Sequence, residues 1–332
     1  VTYLNQVIAS LPTSAVAQVA DVARVAAAIQ NVYAVAAGSA QGASALTVEQ
    51  LTAIGVVGVT AANLADVVTA LAATADDGSG INTIAKIQAI VNSVKAASVT
   101  AIATATPQAA PTATAFASAG VTGVSAENLS AVQAVLAALP SNAKDSTAEI
   151  QDAVNAMTLI LAQGAGANAS LVQAAVGTLG VQSVSAGPTA ASFAAIGAST
   201  AAALSSSGIS LLNSVIGVLP VASIDSPAEL NTLAAAVSTV QTNAAAATLS
   251  DFSAIGLRGV TASNLATIRS LMAAAPLSAK DSLVELQAII DNSTTVAATT
   301  SFANAPSATS AAPTVQDFLG LGITGVSTSN IA

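Results

Sequence analysis

This 332-residue chain contains no histidine and no cysteine. The lack of histidine excludes a Ser-His-Asp triad and histidine-based metal sites. The lack of cysteine excludes a disulfide framework and thiolate chemistry. The sequence also contains no P-loop and no dinucleotide-binding fingerprint. We therefore predict that the protein is not an enzyme and that it needs no cofactor.

Charge is scarce as well. Charged residues make up 7% of the chain, where a soluble domain carries about 25%. The stretch from Ala153 to Ile224 contains no Asp, Glu, Lys or Arg. Seven basic residues, scattered singly against sixteen acidic ones, provide no footprint for nucleic acid. A monomer with so few charges would lack the charge that keeps proteins soluble, so we predict that copies of the chain cover one another.

The charge-free stretch does not predict a membrane span. A spanning helix needs roughly 20 consecutive, mostly apolar residues. Here the apolar residues are interrupted by Gly164, Gly177, Gly187 and Pro188 and by many Ser and Thr residues. We therefore predict that this part of the chain does not cross a membrane.

What the sequence does contain is one motif written five times. Each copy has a Thr, an aromatic residue or Leu four residues later, and a Gly four residues after that. The glycines are Gly55, Gly120, Gly197, Gly256 and Gly322, which are 65, 77, 59 and 66 residues apart. A period near 65 residues indicates an array of small structural units.

Each copy predicts a short first helix. Its Thr is a suitable N-cap, because the hydroxyl accepts a hydrogen bond from an unpaired N–H of the first turn. Its Gly ends the helix in the left-handed conformation. The N-caps are Thr47, Thr112, Thr189, Thr248 and Thr314. The apolar anchors, which we predict to be core centres, are Leu51, Phe116, Phe193, Phe252 and Phe318.

A V-x-G-V turn follows, and a second helix is predicted to begin directly after it. The predicted starts are Thr60, Ser125, Thr261 and Ser327. Four prolines are predicted to close this helix: Pro12, Pro140, Pro220 and Pro276. An asparagine recurs three residues after each start, as Asn63, Asn128, Asn264 and Asn330. We predict local hydrogen bonds for these asparagines, with a ladder between copies as the alternative.

The third helix carries a capping box, in which Ser caps an N–H of the first turn and Glu reaches back to the N–H of the cap residue. The boxes are Ser146 with Glu149, Ser226 with Glu229, and Ser282 with Glu285. The first complete copy departs from this pattern, with Thr83 and Lys86 in these places.

These signals predict an all-α fold built as a tandem array of three-helix modules of about 65 residues. The predicted segments are a partial module with the second and third helices (1–40), a module (41–105), a module with an extended linker (106–185), a degenerate module (186–245), a module (246–310) and a partial module (311–332). Because the chain begins and ends inside a repeat, we expect a segment of a longer protein with targeting and anchoring parts beyond both ends.

Two arrangements have a chemical interpretation to weigh. Ser141 and Lys144 spell the S-x-x-K of some acyl enzymes, but their place between helices favours a solvated loop. Asp76, Asp77 and the capping-box carboxylates are candidate calcium ligands. Calcium needs six to eight converging oxygens, and helix capping explains most of these carboxylates. We therefore predict no catalytic, cofactor-binding or metal-binding residues, with calcium as the open alternative.

The element G-[VIL]-x-G-V-[TS]-x-x-N-[LI], followed by D-S-x-x-E-[IL]-[QN], resembles the alanine-rich helical repeats of very large bacterial surface and extracellular proteins. These include repetitive adhesins and S-layer-like, array-forming proteins. The resemblance covers most of the chain and implies an extracellular structural role at the bacterial cell surface.

We therefore predict a structural, self-assembling segment of a filament, sheath or surface array. Its partners would be copies of itself, packed through charge-poor Ala, Val and Thr helix faces. The alternative is the repetitive stalk or ligand-binding array of a large bacterial adhesin.

Overall fold

The computed structural model describes residues 2–39, 42, 46–75, 77–179, 187–304, 312–315, 318 and 326–331. Over these residues the chain is all-α, with sixteen α-helices and no strand. One isolated β-bridge joins Ala165 and Pro220, where the Ala165 N–H donates to the Leu219 carbonyl at 2.8 Å. The all-α class expected from the sequence is confirmed.

The chain divides into two compact units, Val1–Val154 and Asn155–Ala332. This division is coarser than the six segments proposed above, whose boundaries stay a prediction. The helices that begin in the first unit are α1 (Thr2–Ser10), α2 (Val19–Ala36), α3 (Val48–Ala53), α4 (Leu64–Ala72), α5 (Ile84–Ala103), α6 (Ala113–Ser118), α7 (Leu129–Ala138) and α8 (Thr147–Gln163).

The second unit contains the end of α8 and eight further helices. These are α9 (Ala169–Leu179), α10 (Ala190–Ala195), α11 (Ser199–Ala202), α12 (Ser206–Ile216), α13 (Pro227–Thr242), α14 (Leu249–Ala254), α15 (Leu265–Ala274) and α16 (Leu283–Asn304). The helix α9 lies in the charge-free stretch, where the sequence motif predicts no element.

Four of the five predicted anchors are completely buried. Leu51 and Phe116 are completely buried in the first unit, and Phe193 and Phe252 are completely buried in the second. The fifth anchor, Phe318, is half-buried. Each buried anchor places a large apolar side chain on a helix of only six residues. Burial of the anchor against longer helices, rather than helix propensity, therefore stabilises these short elements.

The first helix of each copy has the predicted ends. In α3, α6, α10 and α14 the capping Thr hydroxyl accepts the N–H three residues later, at 3.2–3.3 Å. The following glycines have φ between 75° and 86°. The residue after the glycine donates to the carbonyl of the anchor, for example Val56 to Leu51 at 3.0 Å and Leu257 to Phe252 at 3.0 Å. This is the Schellman arrangement that left-handed glycines permit.

The predicted start of the second helix is wrong by about one turn. The helices α4, α7 and α15 begin at Leu64, Leu129 and Leu265, each four residues after the predicted cap. A separate turn precedes each of them, and the asparagine at its end has α-helical φ and ψ with no side-chain cap bond. The asparagine side chain closes this turn instead, as described below.

The third helix begins as predicted. Ser146, Ser226 and Ser282 accept the N–H of the glutamate three residues later, and Thr83 does the same for the Lys86 N–H. Short 3₁₀-helices follow the closing prolines, which the sequence did not predict; they span residues 13–15, 141–143, 221–223 and 277–279. A further one, 107–109, lies between α5 and α6.

Candidate functional site

A glutamine on the third helix holds the turn before the second helix. Gln151 donates through Nε2 to the Thr122 carbonyl at 3.0 Å and accepts the Thr122 N–H at 2.8 Å. Gln88 does the same to Val57, with both distances 2.9 Å. Gln287 binds Arg258 in this way at 3.0 and 3.1 Å, and Asn231 accepts the Thr200 N–H at 2.8 Å.

Sequence reasoning missed this contact, although the motif D-S-x-x-E-[IL]-[QN] includes these residues. The glutamines stand 31, 29 and 29 residues after the turn residue that each one binds. That regular separation is the signal that could have revealed the pairing. Its effect is to fix the V-x-G-V turn against the third helix of the same copy.

The recurring asparagine closes the turn between these elements. The Oδ1 of Asn63 accepts the Thr60 N–H at 2.7 Å, and its Nδ2 donates to the Gly58 carbonyl at 3.0 Å. Asn128 and Asn264 make the same pair of bonds, at 2.7–2.8 Å. The predicted local bonding is confirmed. Asn63 is fully buried and also donates to the Ser118 carbonyl at 3.3 Å, so a bond to the next copy exists there too.

Other polar side chains join one copy to the next within each unit. In the first unit the Ser118 hydroxyl donates to the Ala62 carbonyl at 3.0 Å, and Asn31 donates to Gln50 Oε1 at 3.0 Å. In the second unit the buried Gln241 donates to the Lys280 carbonyl at 2.9 Å. Each of these bonds joins residues that belong to successive copies of the sequence motif.

The solvated position predicted for Ser141 and Lys144 is found for Ser141, which is exposed, but is wrong for Lys144. Ser141 opens a 3₁₀-helix, and Lys144 is buried with its ammonium donating to the Leu136 carbonyl in the last turn of α7. Lys280 donates in the same way to the Met272 carbonyl of α15, at 2.7 Å. A cation at the last carbonyls of a helix is favourable. These lysines therefore cap helices.

A third recurring donor holds the residue that precedes the capping Thr. Gln133 donates to the Pro111 carbonyl at 2.9 Å, and Asn213 donates to the Pro188 carbonyl at 3.0 Å. Arg269 donates through Nε to the Ala247 carbonyl at 2.6 Å. The sequence gave no signal for this contact, because three residue types share one position on the second helix.

The described carboxylates considered as calcium ligands include several that bind nearby main-chain N–H groups. Glu149 and Glu285 accept main-chain N–H groups of their capping boxes at 3.1 Å. Hydrogen bonds from Ser146 and Ser282 lower the pKa of these two glutamates. Asp77 accepts the Ser79 N–H at 2.8 Å, and Asp76 lies outside the described residues. Among the described residues no three acidic side chains form a group that could hold a metal ion.

The two tyrosines of the chain meet in the core of the first unit. The rings of Tyr3 and Tyr33 lie 5.9 Å apart at an interplanar angle of 66°. Burial, and secondarily the neighbouring Tyr33, raises the pKa of Tyr3 to about 12. Tyr33 also packs against Gly78, where an added Cβ would come within 2.4 Å of its ring. The two rings therefore contribute to core packing, and the Tyr3 phenol stays protonated at neutral pH.

The second unit contains an apolar groove of about 860 Å³. Its lining includes Val218, Leu257, Leu283 and Val284, with Arg258 and Asp291 as its charged residues. The uncharged polar side chains of the lining are bound elsewhere: the Ser253 hydroxyl donates to the Ser250 carbonyl at 3.0 Å, and Gln287 is bound to the Arg258 main chain and to Asp291. The described groove thus offers apolar surface rather than a nucleophile with an adjacent base.

Of the described helices, α2 has the length and composition of a membrane span, and one third of its apolar window is buried inside the protein. Its buried residues, including Val25 and Val32, belong to the core of the first unit. A core helix passes the same test of length and composition, so the match is weak evidence for a span.

No protein-family model, curated protein or solved structure matches the chain.

Proposed function

We propose that this chain is a structural protein that assembles with copies of itself into a filament, sheath or surface array outside the cell, at the bacterial cell surface. It catalyses no reaction in this proposal. The proposal rests on how the polar groups are used: the recurring Gln, Asn and Lys side chains bind main-chain groups of the chain itself. Side chains used in this way stabilise the fold of the chain itself.

The architecture that we infer is a tandem array of three-helix modules of about 65 residues. In the first unit α2 packs against α3, and α5 packs against α6. In the second unit α13 packs against α14. Each pair joins the third helix of one copy to the first helix of the next. In repeat proteins, such contacts let neighbouring units bury one continuous core that a single unit could not form.

The outer surface of these modules supports contact between chains. Charged residues are 7% of the sequence, and aliphatic side chains such as Val218 and Val284 stand exposed at 55% and 79%. Alanine-rich faces allow close approach of helices and lose little side-chain entropy on contact. Identical repeated surfaces then give a closed ring, a filament or a sheet, depending on the rotation that relates the copies.

Extracellular placement is supported by the absence of cysteine, by the small number of Lys and Arg residues, and by the resemblance of the motif to repeats of bacterial surface proteins. The partners in this proposal are other copies of the chain. Nucleic acid is not among them, because seven scattered basic residues provide no positive surface.

Negative-stain electron microscopy of the purified chain in plain buffer tests the proposal. Ordered filaments or sheets are expected with and without a chelator, and loss of order in chelator alone would revive the calcium alternative. The double variant Val218→Asp with Val284→Asp should weaken lateral order, because it places charge on the apolar groove. The uncharged variant Val218→Thr with Val284→Thr is the matched control.

Dispersed monomers under all conditions, at the highest concentration reached, would contradict self-assembly. That result would favour the stalk or ligand-binding array of an adhesin, in which modules follow one another without contact between chains.

A further inference from the structure

The apolar groove of the second unit has aliphatic side chains exposed beside it. It lies between the end of α12, the turn after α14 and the first turns of α16. Among its lining residues, Leu257 and Leu283 are buried, whereas Val218 and Val284 are exposed at 55% and 79%. Burial of exposed aliphatic surface against a partner is favourable, so the groove is a candidate contact surface.

The two valines are larger than the residues at the same positions of the motif elsewhere in the chain. Val284 is the second residue of its third helix, and Val218 stands two residues before a closing proline. The second residue of the third helix is alanine in the other copies of the motif, namely Ala20, Ala85, Ala148 and Ala228. The residue two places before the closing proline is elsewhere Ser10, Ala138 or Ala274. Alanine favours a helix more than valine does, so Val284 does not serve the stability of α16 itself.

The groove also has one charge of each sign, where the other copies of the motif have none. Arg258 and Asp291 are its charged lining residues, and both are exposed. Their counterparts are uncharged. Those of Arg258 include Val57, Thr122 and Ser199, and those of Asp291 include Asn92, Asn155 and Ala235. The charges of the groove therefore balance, in a chain whose formal net charge is −9.

In the first unit a charged side chain takes the place that Val218 has at the groove. A Cβ on Gly120 would lie 2.8 Å from Lys95 Cε and 3.0 Å from Lys95 Nζ. The corresponding Cβ on Gly256 would meet Val218 Cγ2 at 3.6 Å. The glycine that ends the first helix is thus covered by a lysine in one copy of the motif and by an exposed valine at the groove.

We propose that the apolar grooves of two chains pack against each other about a two-fold axis, with Arg258 of each chain bound to Asp291 of the other. This inference rests on the proposed self-assembly and specifies one of its contacts. A two-fold axis brings a surface onto an identical surface, so that if residue i faces residue j, then j faces i in return. One positive and one negative residue on the same surface are complementary in that arrangement. A second chain therefore fits this groove by charge as well as by apolar character.

The side chains of the groove suit both parts of this contact. Asp291 accepts a hydrogen bond from Gln287 Nε2 at 2.9 Å. A carboxylate has about four acceptor sites, so Asp291 can bind a guanidinium in addition to its bonds within the chain. Arginine and a carboxylate pair through two parallel hydrogen bonds. The valines of both chains become buried in the same contact, which then combines apolar and charged groups as protein interfaces do.

Sedimentation velocity of the 332-residue chain tests the apolar part of the contact, with circular dichroism to confirm that each variant is folded. Val284→Ala should weaken dimerisation by at least about tenfold, because one valine of each chain loses its contact. The variant introduces the residue that the other copies of the motif have, so the fold should be retained. Val57→Ala is the matched control, since Val57 is an exposed valine of the first unit, at 68%, and it should leave dimerisation unchanged.

Exchange of the two charges tests the two-fold arrangement itself. Arg258→Asp and Asp291→Arg should each weaken dimerisation about tenfold, because each places like charges opposite one another. An equal mixture of these two variants should dimerise as well as the wild type, since one chain then has two acidic residues and the other has two basic ones. A loss caused by damage to the fold of either chain would persist in the mixture. Val57→Asp and Asn92→Arg make the same changes at the corresponding positions of the first unit and should have no effect.

The outcomes separate the two proposals. A two-fold contact joins only two chains, so a larger assembly needs a further surface. If the wild type assembles but Val284→Ala behaves like Val57→Ala, or the mixture regains no dimers, the groove contact is wrong and self-assembly stands. If the wild type forms dimers that Val284→Ala weakens but yields no filament or sheet, the groove contact is right and the larger assembly is wrong. If the wild type stays monomeric at the highest concentration reached, both proposals are wrong.

Discussion

Gln151 and Thr122 form a two-way contact in which one side chain satisfies both main-chain groups of a turn residue. Nε2 donates to the Thr122 carbonyl at 3.0 Å, and Oε1 accepts the Thr122 N–H at 2.8 Å. An amide is the side chain suited to this, because it offers a donor and an acceptor together. The same contact at Val57 and Arg258 makes it a repeated structural device.

Replacement of this amide should weaken the fold. We expect Gln151→Ala to lower the free energy of unfolding by about 1 to 2 kcal/mol, since two hydrogen bonds are lost and water replaces them only in part. Gln6→Ala, at an exposed position on α1, should change it by less than about 0.5 kcal/mol. Urea denaturation followed by circular dichroism measures both, and equal effects would contradict a structural role for the contact.

Replacing the recurring asparagines by alanine should destabilise the protein to different extents, because the asparagines differ in burial. Asn63 is fully buried and makes a bond to Ser118 in addition to its two local bonds, whereas Asn264 is half-buried and shows the local pair. We expect Asn63→Ala to destabilise by about 1 kcal/mol more than Asn264→Ala, the value of one further hydrogen bond. Equal losses in urea denaturation would show that the contact with Ser118 adds nothing.

Two glycines at helix ends should respond oppositely to alanine. Gly256 has φ of 84° and only Val218 Cγ2, at 3.6 Å, beside a new Cβ, so the left-handed backbone alone opposes the change. We expect Gly256→Ala to cost about 1 to 2 kcal/mol. Gly217 has φ of −62° and no neighbour closer than 3.6 Å. Gly217→Ala should be neutral or stabilise by up to about 1 kcal/mol. Thermal denaturation of the two variants provides the comparison.

Lys280 should make stability depend on pH in the alkaline range. Burial lowers the pKa of Lys280 below its ordinary value of 10.5. As pH rises toward that value, the folded chain releases the proton before the unfolded chain does. The unfolded state then binds more protons, so this residue adds stability with rising pH until about 10.5. Lys280→Ile should remove that rise, which urea denaturation between pH 8 and about 10.5 can measure.

Other copies of the motif already carry the residue that Lys280→Ile would introduce. Ile81 and Ile224 occupy the position of Lys280 in other copies, and both are completely buried. We therefore expect Lys280→Ile to be close to neutral at pH 7, because an apolar side chain of similar size can replace a buried charge. Lys280→Ala, which leaves a cavity, should be clearly destabilising. If the two variants lose the same stability, the buried lysine contributes through its ammonium bond to Met272 rather than through its volume.

Local capping chemistry was predictable from the sequence because it depends on residues close in the chain. The threonine caps, the left-handed glycines and the Ser-x-x-Glu boxes all need only a few adjacent residues, and they lie where the motif placed them. The start of the second helix was misplaced because Thr60 and Asn63 close a separate turn before Leu64. Competing local hydrogen bonds can shift a helix boundary by this amount.

Contacts between distant residues were not predictable in the same way. The pairing of Gln88 with Val57, and the burial of Lys144 against α7, each require a side chain to meet a carbonyl from another element. From the sequence, a lysine in a polar loop is predicted to be solvated. Only the packing of the surrounding helices shows that this lysine is buried and caps a helix.

The sequence by itself determined the all-α class, both ends of the first helix, the start of the third helix and the apolar anchors, because periodicity and capping are local properties. The tertiary structure decided which polar groups are satisfied inside the protein and which apolar positions remain uncovered. Those depend on what lies next to each residue in space. The motif makes Asn63 and Asn264 equivalent, but their neighbours leave the first fully buried and the second half-buried.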